Sequence, residues 1–276
     1  METTPPHPFD QALALQAAAP GRWRGHTSAA YWNMVGPFGG ITAATLLRAV
    51  QLHPDLLGEP LSLTVNYAGP LAEGPFEIVA QPARTNRSTQ HWTLSMLQRD
   101  PQGADVLTTT ATAVTAARRE TWSVSDMPMP AVPAPSEVQR VPLFEGVEWV
   151  NRYEFRPVHG AIPTVWNGQG EGSETRLWMR DGGGRPLDFC ALAAMADIFF
   201  PRVWLRRATR VPAGTVSITI YFHAGAARLA ETGTGYLLGR VRAQEFRNGF
   251  FDHSAQLWNE AGSMLATTHQ IVYFKE

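Results

Sequence analysis

The acidic residue best suited to chemistry is Asp197, which lies near the end of a long apolar segment, 186–201. Prolines bound this segment, and its composition predicts a helix that is buried on all sides. Burial and the negative end of a helix both disfavour a charged carboxylate, so we expect the pKa of Asp197 to be raised. Such a group can act as a general base near neutral pH. The alternative is a frayed helix end that leaves Asp197 in water. Asp188, in the first turn, is expected to be stabilised by free backbone N–H groups.

The elements that must position Asp197 occur twice along the chain. Each half contains a Gly/Pro turn, a buried helix, an alternating strand and three further strands of antiparallel type. The residues repeat as well: Ser-Leu-Thr-Val at 62–65 matches Ser-Ile-Thr-Ile at 217–220, an offset of 155. Leu-Thr-Thr-Thr at 107–110 matches Leu-Ala-Thr-Thr at 265–268, an offset of 158. Two nearly equal offsets in separate elements indicate an internal duplication.

This order of elements predicts an α+β protein of tandem double-hotdog type, in which each half is a long helix wrapped by an antiparallel sheet. We predict an N-terminal hotdog over residues 1–126 and a C-terminal hotdog over 143–276. Between them, residues 127–142 contain five prolines and are expected to form a semi-extended interdomain linker. A short amphipathic helix is expected over residues 9–18.

Composition excludes several classes of partner. The net charge of −1 gives no reason to expect nucleic acid or an anionic membrane. The start of the chain lacks the pattern of a signal peptide, and no apolar run is long enough to span a bilayer. A single cysteine, Cys190, allows no internal disulfide. We therefore expect a cytoplasmic protein. Metal-ligand spacings, a P-loop, a dinucleotide fingerprint and Gly-x-Ser-x-Gly are all absent from the sequence, so no cofactor is expected.

Fragments spread over nearly the whole chain carry a resemblance to a known family. They are Phe-Gly-Gly at 38–40, Glu-Phe-Arg-Pro-Val at 154–158, Leu-Trp-Met-Arg at 177–180, Tyr-Phe-His at 221–223 and Leu-Ala-Thr-Thr-His-Gln at 265–270. Their order and spacing resemble the acyl-CoA thioesterase II family, double-hotdog enzymes that hydrolyse acyl-CoA thioesters. Membership would imply an acyl-CoA substrate and a homo-oligomer, a dimer or larger.

The resemblance implies a catalytic set of Asp197, Thr215 and Gln270, which together would position one water. The family often has an acidic residue two positions after the strand threonine, where this chain has Ser217. Since Thr215, Ser217 and Thr219 alternate with apolar residues, they are expected to share one strand face. Thr215, at the strand end, is the best placed for the hydroxyl role, and Ser217 and Thr219 are the alternatives. His269 is a weaker alternative base, because a lone histidine on a strand is more often structural.

Thioester hydrolysis also needs donors for the negative charge that develops on the carbonyl oxygen. Gly39 and Gly40 open the first helix, and without Cβ atoms their N–H groups are approachable, so we expect the oxyanion site there. Alternatively, these glycines only permit a tight turn and close packing. An arginine cluster at positions 202, 206, 207 and 210 is more typical of a charged surface loop than of a CoA phosphate site.

The function indicated is an acyl-CoA thioesterase that uses Asp-activated water. The alternative is a duplicated hotdog that binds acyl-CoA or acyl carrier protein without hydrolysis. A hotdog hydratase is disfavoured, because no Asp and His pair stands at suitable spacing near a helix.

Overall fold

A computed structural model describes residues 5–276 of the chain. Within these residues the α-helices are α1 (Pro8–Ala12), α2 (Gly39–Gln51), α3 (Phe189–Met195), α4 (Arg202–Arg207) and α5 (Ala226–Thr232). The strands of the first half are β1 (Gln16–Ala19), β2 (Arg22–His26), β3 (Glu59–Tyr67), β4 (Pro75–Thr85), β5 (Thr89–Arg99) and β6 (Asp105–Ala116). Those of the second half are β7 (Tyr153–His159), β8 (Thr175–Asp181), β9 (Ala213–Phe222), β10 (Leu237–Arg242), β11 (Phe246–Arg247), β12 (Phe250–Asn259) and β13 (Met264–Phe274).

These strands form one antiparallel sheet that runs through both halves. Its order is β1-β2-β4-β5-β6-β3-β9-β13-β12-β10-β8-β7, and β11 pairs with β12. Alternating side chains account for the strands: in β5, buried Trp92, Leu94 and Met96 alternate with partly or fully exposed residues. The inner face covers the helices, as the double-hotdog prediction requires.

The predicted duplication is visible where the two halves meet. β3 and β9 contain the matching tetrapeptides and pair antiparallel, with Thr64 directly opposite Thr219. Their hydroxyl oxygens lie 3.0 Å apart. On either side, β6 pairs with β3 and β13 pairs with β9, so the strand order of one half is repeated in reverse in the other. The pairing is therefore symmetric about Thr64 and Thr219, which are equivalent residues, as expected of two related halves joined edge to edge.

The core is built around α2 and α3, which pack against each other inside the sheet. α2 buries Leu46, Leu47 and Val50 completely, and every residue of α3 is buried. α3 is much shorter than the predicted helix over 186–201. It begins at Phe189, because Asp188 is its N-cap and accepts a hydrogen bond from the backbone N–H of Ala191 at 2.7 Å. The prediction placed Asp188 in the first helical turn, whereas it lies one residue before the helix begins.

One other predicted element differs from the structure. The helix expected over 9–18 is only one turn long, and strand β1 follows it. The proline-rich segment 127–142, predicted as an interdomain linker, lies against the outer face of the second-half sheet. There Arg156 donates hydrogen bonds to the backbone carbonyls of Pro135 (3.1 Å) and Val138 (2.7 Å). Among residues 5–276, no helix combines the length and apolar character needed to cross a membrane.

Candidate active site

Asp197 lies just beyond the C-terminus of α3, where its backbone N–H still bonds the carbonyl of Ala194 at 3.2 Å. Its side chain is half-buried, and it lines a cavity of about 750 Å³ between the two halves. The prediction placed Asp197 within the last helical turn, whereas the helix ends two residues earlier. The expected setting, apolar neighbours at the end of a buried helix, is nevertheless present.

Gln270 joins Asp197 to Thr215 through a chain of hydrogen bonds. Its Nε2 donates to Asp197 Oδ1 at 3.0 Å, and its Oε1 accepts from Thr215 Oγ1 at 3.1 Å. Both bonds together fix which end of the amide faces each partner. Gln270 is only 2% exposed, and all three side chains line the same cavity. The structure thus brings the three predicted residues together.

A β-bulge explains why Thr215, rather than Ser217 or Thr219, meets Gln270. Thr215 pairs with Val272 while Ser217 pairs with Ile271, so β9 contains one extra residue between them. The extra residue reverses the alternation, turning Thr215 to the inner face that Ile218 and Ile220 occupy. The expectation that the three hydroxyl residues share one strand face was therefore wrong. Thr219 remains on the outer face, where it contacts Thr64.

The environment of Asp197 raises the pKa of its carboxyl group to about 7. Burial is the main cause, because the charged form loses water contacts. The hydrogen bond from Gln270 and the backbone N–H of Gly40 act in the opposite direction and favour the carboxylate. Near neutral pH the group can therefore both accept and return a proton.

The two glycines at the start of α2 contact Asp197 and its helix directly. A Cβ on Gly39 would lie 2.6 Å from Asp197 Oδ2 and 3.1 Å from the hydroxyl oxygen of Tyr67. A Cβ on Gly40 would lie 2.4 Å from the backbone carbonyl oxygen of Ala194 on α3. Close packing is thus established for both. Gly39 also lines the cavity, where Tyr67 donates a hydrogen bond to its carbonyl at 2.8 Å.

Apart from these polar groups, the cavity wall is mostly aromatic and aliphatic. Its aromatic residues include Phe38, Trp149, Phe155, Phe199, Phe200 and Trp204. Phe38 and Trp149 stack with ring centroids 4.1 Å apart, which joins the start of α2 to the second half. An apolar cavity with a few convergent polar groups is the usual form of a site for a largely apolar ligand.

Sequence reasoning missed Tyr67 and His253, which also line the cavity. His253 lies directly opposite Gln270 on the neighbouring strand and is 2% exposed. Its Nε2 is buried and has no hydrogen-bond partner within residues 5–276. The alternation of β12, in which Phe251 and Ala255 face inward, could have placed His253 on the inner face. Nothing in the sequence pairs it with Gln270.

The remaining polar candidates lie outside the hydrogen-bonded set. His269 points to the outer face of β13, where its Nδ1 lies 2.7 Å from Ser254 Oγ. Of the arginine cluster, the first three residues lie in α4 rather than in a loop, and Arg202 is fully buried. Only Arg210 of the four lines the cavity. Elsewhere in the described chain, no cluster of three or more His, Cys, Asp or Glu side chains could hold a metal ion.

Comparisons with known proteins agree with this architecture. A hot dog fold protein of unknown function from Alicyclobacillus acidocaldarius shares 46% sequence identity, with 98% of this chain and 99% of that chain covered and a TM-score of 0.91. An acyl-CoA thioesterase II from Mycobacterium marinum shares the fold at 17% identity, with 97% and 98% covered and a TM-score of 0.74. A comparison with curated proteins gave no match.

Family models identify both halves of the chain. The acyl-CoA thioesterase N-terminal domain matches residues 28–116, and the acyl-CoA thioesterase C-terminal domain matches residues 125–274. The second match alone spans more than half of the 276 residues. The predicted resemblance and the predicted fold are thereby confirmed, and the chain belongs to the acyl-CoA thioesterase family of double-hotdog proteins.

Proposed function

We propose that this protein hydrolyses acyl-CoA thioesters to a free carboxylic acid and CoA, with Asp197 as the base that activates water. The observation that carries the proposal is the chain of hydrogen bonds from Thr215 through Gln270 to Asp197, beside an apolar cavity. Family membership supports acyl-CoA as the substrate class.

In the proposed reaction, Asp197 accepts a proton from water while the water oxygen attacks the thioester carbonyl carbon. The carbonyl electrons move to oxygen and form a tetrahedral oxyanion. Collapse of this intermediate re-forms the carbonyl and breaks the carbon–sulfur bond. The departing CoA sulfur then takes the proton from Asp197, which restores the carboxylate. A pKa of about 7 suits both transfers, because the group is neither too weak a base nor too weak an acid.

Thr215 and Gln270 would hold the attacking water in line. The Thr215 hydroxyl donates a hydrogen bond to Gln270, so Thr215 Oγ1 is free to accept a hydrogen bond from water. Gln270 uses one amide hydrogen on Asp197 and keeps a second. A water held by these groups has its orientation fixed before attack, which reduces the entropic part of the barrier.

The oxyanion would be stabilised at the start of α2, where the first N–H groups of a helix have no partner within that helix. Gly39 is the better candidate, because it lines the cavity. Gly40 is committed to contact with α3, and its N–H favours the charged form of Asp197. In this arrangement Gly40 would act on the base and Gly39 on the substrate.

Release of free thiol from acyl-CoAs of several chain lengths tests the proposal. The informative variant is Asp197→Asn, because its amide oxygen can still accept the hydrogen bond from Gln270. We expect kcat to fall by about 10²–10⁴-fold with substrate binding largely retained. His269→Gln is the matched control, since it changes the adjacent residue on the opposite face of the same strand and should leave kcat unaltered.

The proposal fails if the wild-type protein releases no more thiol than Asp197→Asn on every chain length. Calorimetric binding of acyl-CoA without turnover would then favour the alternative, an acyl-CoA or acyl-carrier-protein binding protein. The homo-oligomeric state and the cytoplasmic location remain predictions, which gel filtration and fractionation of the native cells would test.

A further inference from the structure

The hydroxyl of Tyr67 lies at the cavity wall, and the proposed hydrolysis does not use it. Tyr67 is the last residue of β3, it is half-buried, and it lines the cavity together with Gly39 and Asp197. Its hydroxyl donates a hydrogen bond to the backbone carbonyl of Gly39 at 2.8 Å. A second polar donor therefore lies at the start of α2, where the oxyanion is proposed to form.

This hydroxyl and the proposed base lie around the same point beside Gly39. A Cβ on Gly39 would be 2.6 Å from Asp197 Oδ2 and 3.1 Å from the Tyr67 hydroxyl oxygen. The two oxygens are therefore no farther apart than these two distances added together, which is close to the span of two hydrogen bonds of about 2.8 Å each. A small group placed between the two oxygens can contact both. Such a position, within reach of a base and of a donor, is where a reacting carbonyl is expected.

The phenol of Tyr67 keeps its proton throughout the pH range near neutrality. Burial raises the pKa of Tyr67 well above its usual value, and the negative charge of Asp197 acts in the same direction. A hydroxyl that stays protonated can donate one hydrogen bond but cannot act as a base. Its hydrogen must therefore leave the Gly39 carbonyl before a substrate oxygen can receive it.

The Gly39 carbonyl can lose this donor and still be hydrogen-bonded. Gly39 is the first residue of α2, so its carbonyl also accepts the backbone N–H four residues later in the helix. A carbonyl oxygen has two lone pairs, and the helical bond occupies only one of them. Hydrogen bonds to a charged oxygen are about twice as strong as those between neutral groups. The hydroxyl therefore gains by turning from Gly39 to an oxyanion.

We propose that the Tyr67 hydroxyl is a catalytic donor to the oxyanion, acting beside the backbone N–H of Gly39. The inference rests on the proposed function, which forms the oxyanion at the start of α2. Tyr67 donates a hydrogen bond and keeps its proton, while Asp197 takes the proton of water and returns it to the sulfur of CoA. The bonds that form and break in the hydrolysis are therefore unchanged, and Tyr67 lowers the energy of the charged intermediate.

The test variant is Tyr67→Phe, which removes the hydroxyl and keeps the ring. In single-turnover measurements we expect thiol release from acyl-CoA to slow by about 10²–10³-fold, the usual effect of losing one oxyanion donor. Calorimetric affinity for the matching thioether, in which a methylene group replaces the thioester carbonyl, should stay within about twofold of wild type, because this probe has no oxygen to accept the bond. Tyr221→Phe is the matched control: this tyrosine is 51% exposed on the outer face of β9, so its loss should leave the rate unaltered.

The pH profile separates this role from a purely structural one. The carbonyl of Gly39 and the N–H of Gly40 belong to one peptide group, and that N–H favours the charged form of Asp197. If Tyr67 only held this peptide group in place, Tyr67→Phe would shift the midpoint of the kcat/KM profile above about pH 7. As an oxyanion donor, Tyr67 should instead raise the plateau of the profile, so Tyr67→Phe lowers the plateau and leaves the midpoint in place.

Three results would overturn the inference while leaving the proposed function intact. They are a Tyr67→Phe rate within about threefold of wild type, a loss of rate matched by an equal loss of thioether affinity, and a shifted midpoint with an unchanged plateau. A wild-type protein that releases no thiol from any acyl-CoA would refute the proposed function and this inference together.

Discussion

Replacing Asp197 by Asn should stabilise the folded protein increasingly as the pH rises, although it removes the proposed base. The reason is the carboxyl pKa, which burial raises from 3.8 to about 7 in the folded state. Asn cannot ionise, and its amide oxygen can still accept the hydrogen bond that Gln270 donates to Asp197 at 3.0 Å. The variant therefore removes the cost of burying a charge and keeps the hydrogen bond from Gln270, whereas any loss of the contact with the Gly40 N–H is the same at every pH.

The sign follows from the two protonation states. Below pH 3.8 the carboxyl group is protonated in both the folded and the unfolded chain, and it costs nothing. Between 3.8 and about 7 the unfolded chain releases the proton that the folded chain still holds, so the free energy of unfolding decreases with rising pH. Above pH 7 the loss of unfolding free energy that results from burying the charged carboxylate is constant at about 4 kcal/mol, because each pKa unit corresponds to about 1.4 kcal/mol.

Between pH 5 and pH 8, the stability of Asp197→Asn relative to wild type should therefore increase by about 2–3 kcal/mol. For a domain of 150–250 residues this corresponds to a relative increase in Tm of roughly 5–10 °C. Thermal unfolding of both proteins at a series of pH values measures it. Other titrating groups are the same in the two proteins and cancel in the difference.

A pH-independent difference between the two proteins would refute the reasoning. It would mean that Asp197 ionises at an ordinary pKa in the folded protein, and it would also remove the argument for its role as a base near neutral pH. A change in Tm that is the same at pH 5 and pH 8 reports only the altered packing of the amide, and so does not support a raised pKa for Asp197.

Four further outcomes are expected. The logarithm of kcat/KM of the wild type should rise with pH at a slope of one below about pH 7 and level off above it, where Asp197 is ionised. A flat profile from pH 5 to 9 would contradict this. Thr215→Val should lower kcat by about 10–100-fold, since it removes one water ligand, and should lower the stability by about 1–3 kcal/mol, because Gln270 Oε1 loses its donor. Gly40→Ala should lower the stability by about 1–3 kcal/mol in urea unfolding, because the Cβ would meet the Ala194 carbonyl of α3 at 2.4 Å. Glu154→Gln should lower the free energy of unfolding by about 3–5 kcal/mol in the same assay, with the smallest loss at low pH. Burial acts to raise the pKa of Glu154, but hydrogen bonds from Tyr236 and two arginines outweigh it and hold the pKa at about 2.

The pH dependence of stability that Glu154 contributes is opposite in sign to that of Asp197. Because its folded pKa is depressed, the carboxylate contributes stability that is present above pH 4.5 and is lost as the pH falls towards 2. The hydrogen bonds that hold it come from Arg180 (2.8 Å) and Arg156 (2.6 Å). Arg156 also binds the segment 127–142, so Glu154→Gln should expose that segment to limited proteolysis.

Periodicity alone predicted most of the strands, because burying one face of a sheet requires apolar and polar residues to alternate along each strand. The matching tetrapeptides at 62–65 and 217–220 likewise indicated the duplication, and they lie in strands that pair with each other. Asp197 was identifiable for a related reason, because a carboxyl group near the end of a long apolar run is a candidate for burial. These are local properties, and a single sequence contains them.

What only the tertiary structure decided was which side chains meet. The bulge that turns Thr215 inward depends on how β9 aligns with β13, and the alignment of two strands far apart in the chain is a property of the pair. His253 faces Gln270 for the same reason. Helix α3 is short because Asp188 caps it and the chain must turn after Met195 to place Asp197 against the start of α2. Apart from the Asp188 cap, which spans three residues, these contacts join residues distant in sequence, so their energies appear only once the chain has folded.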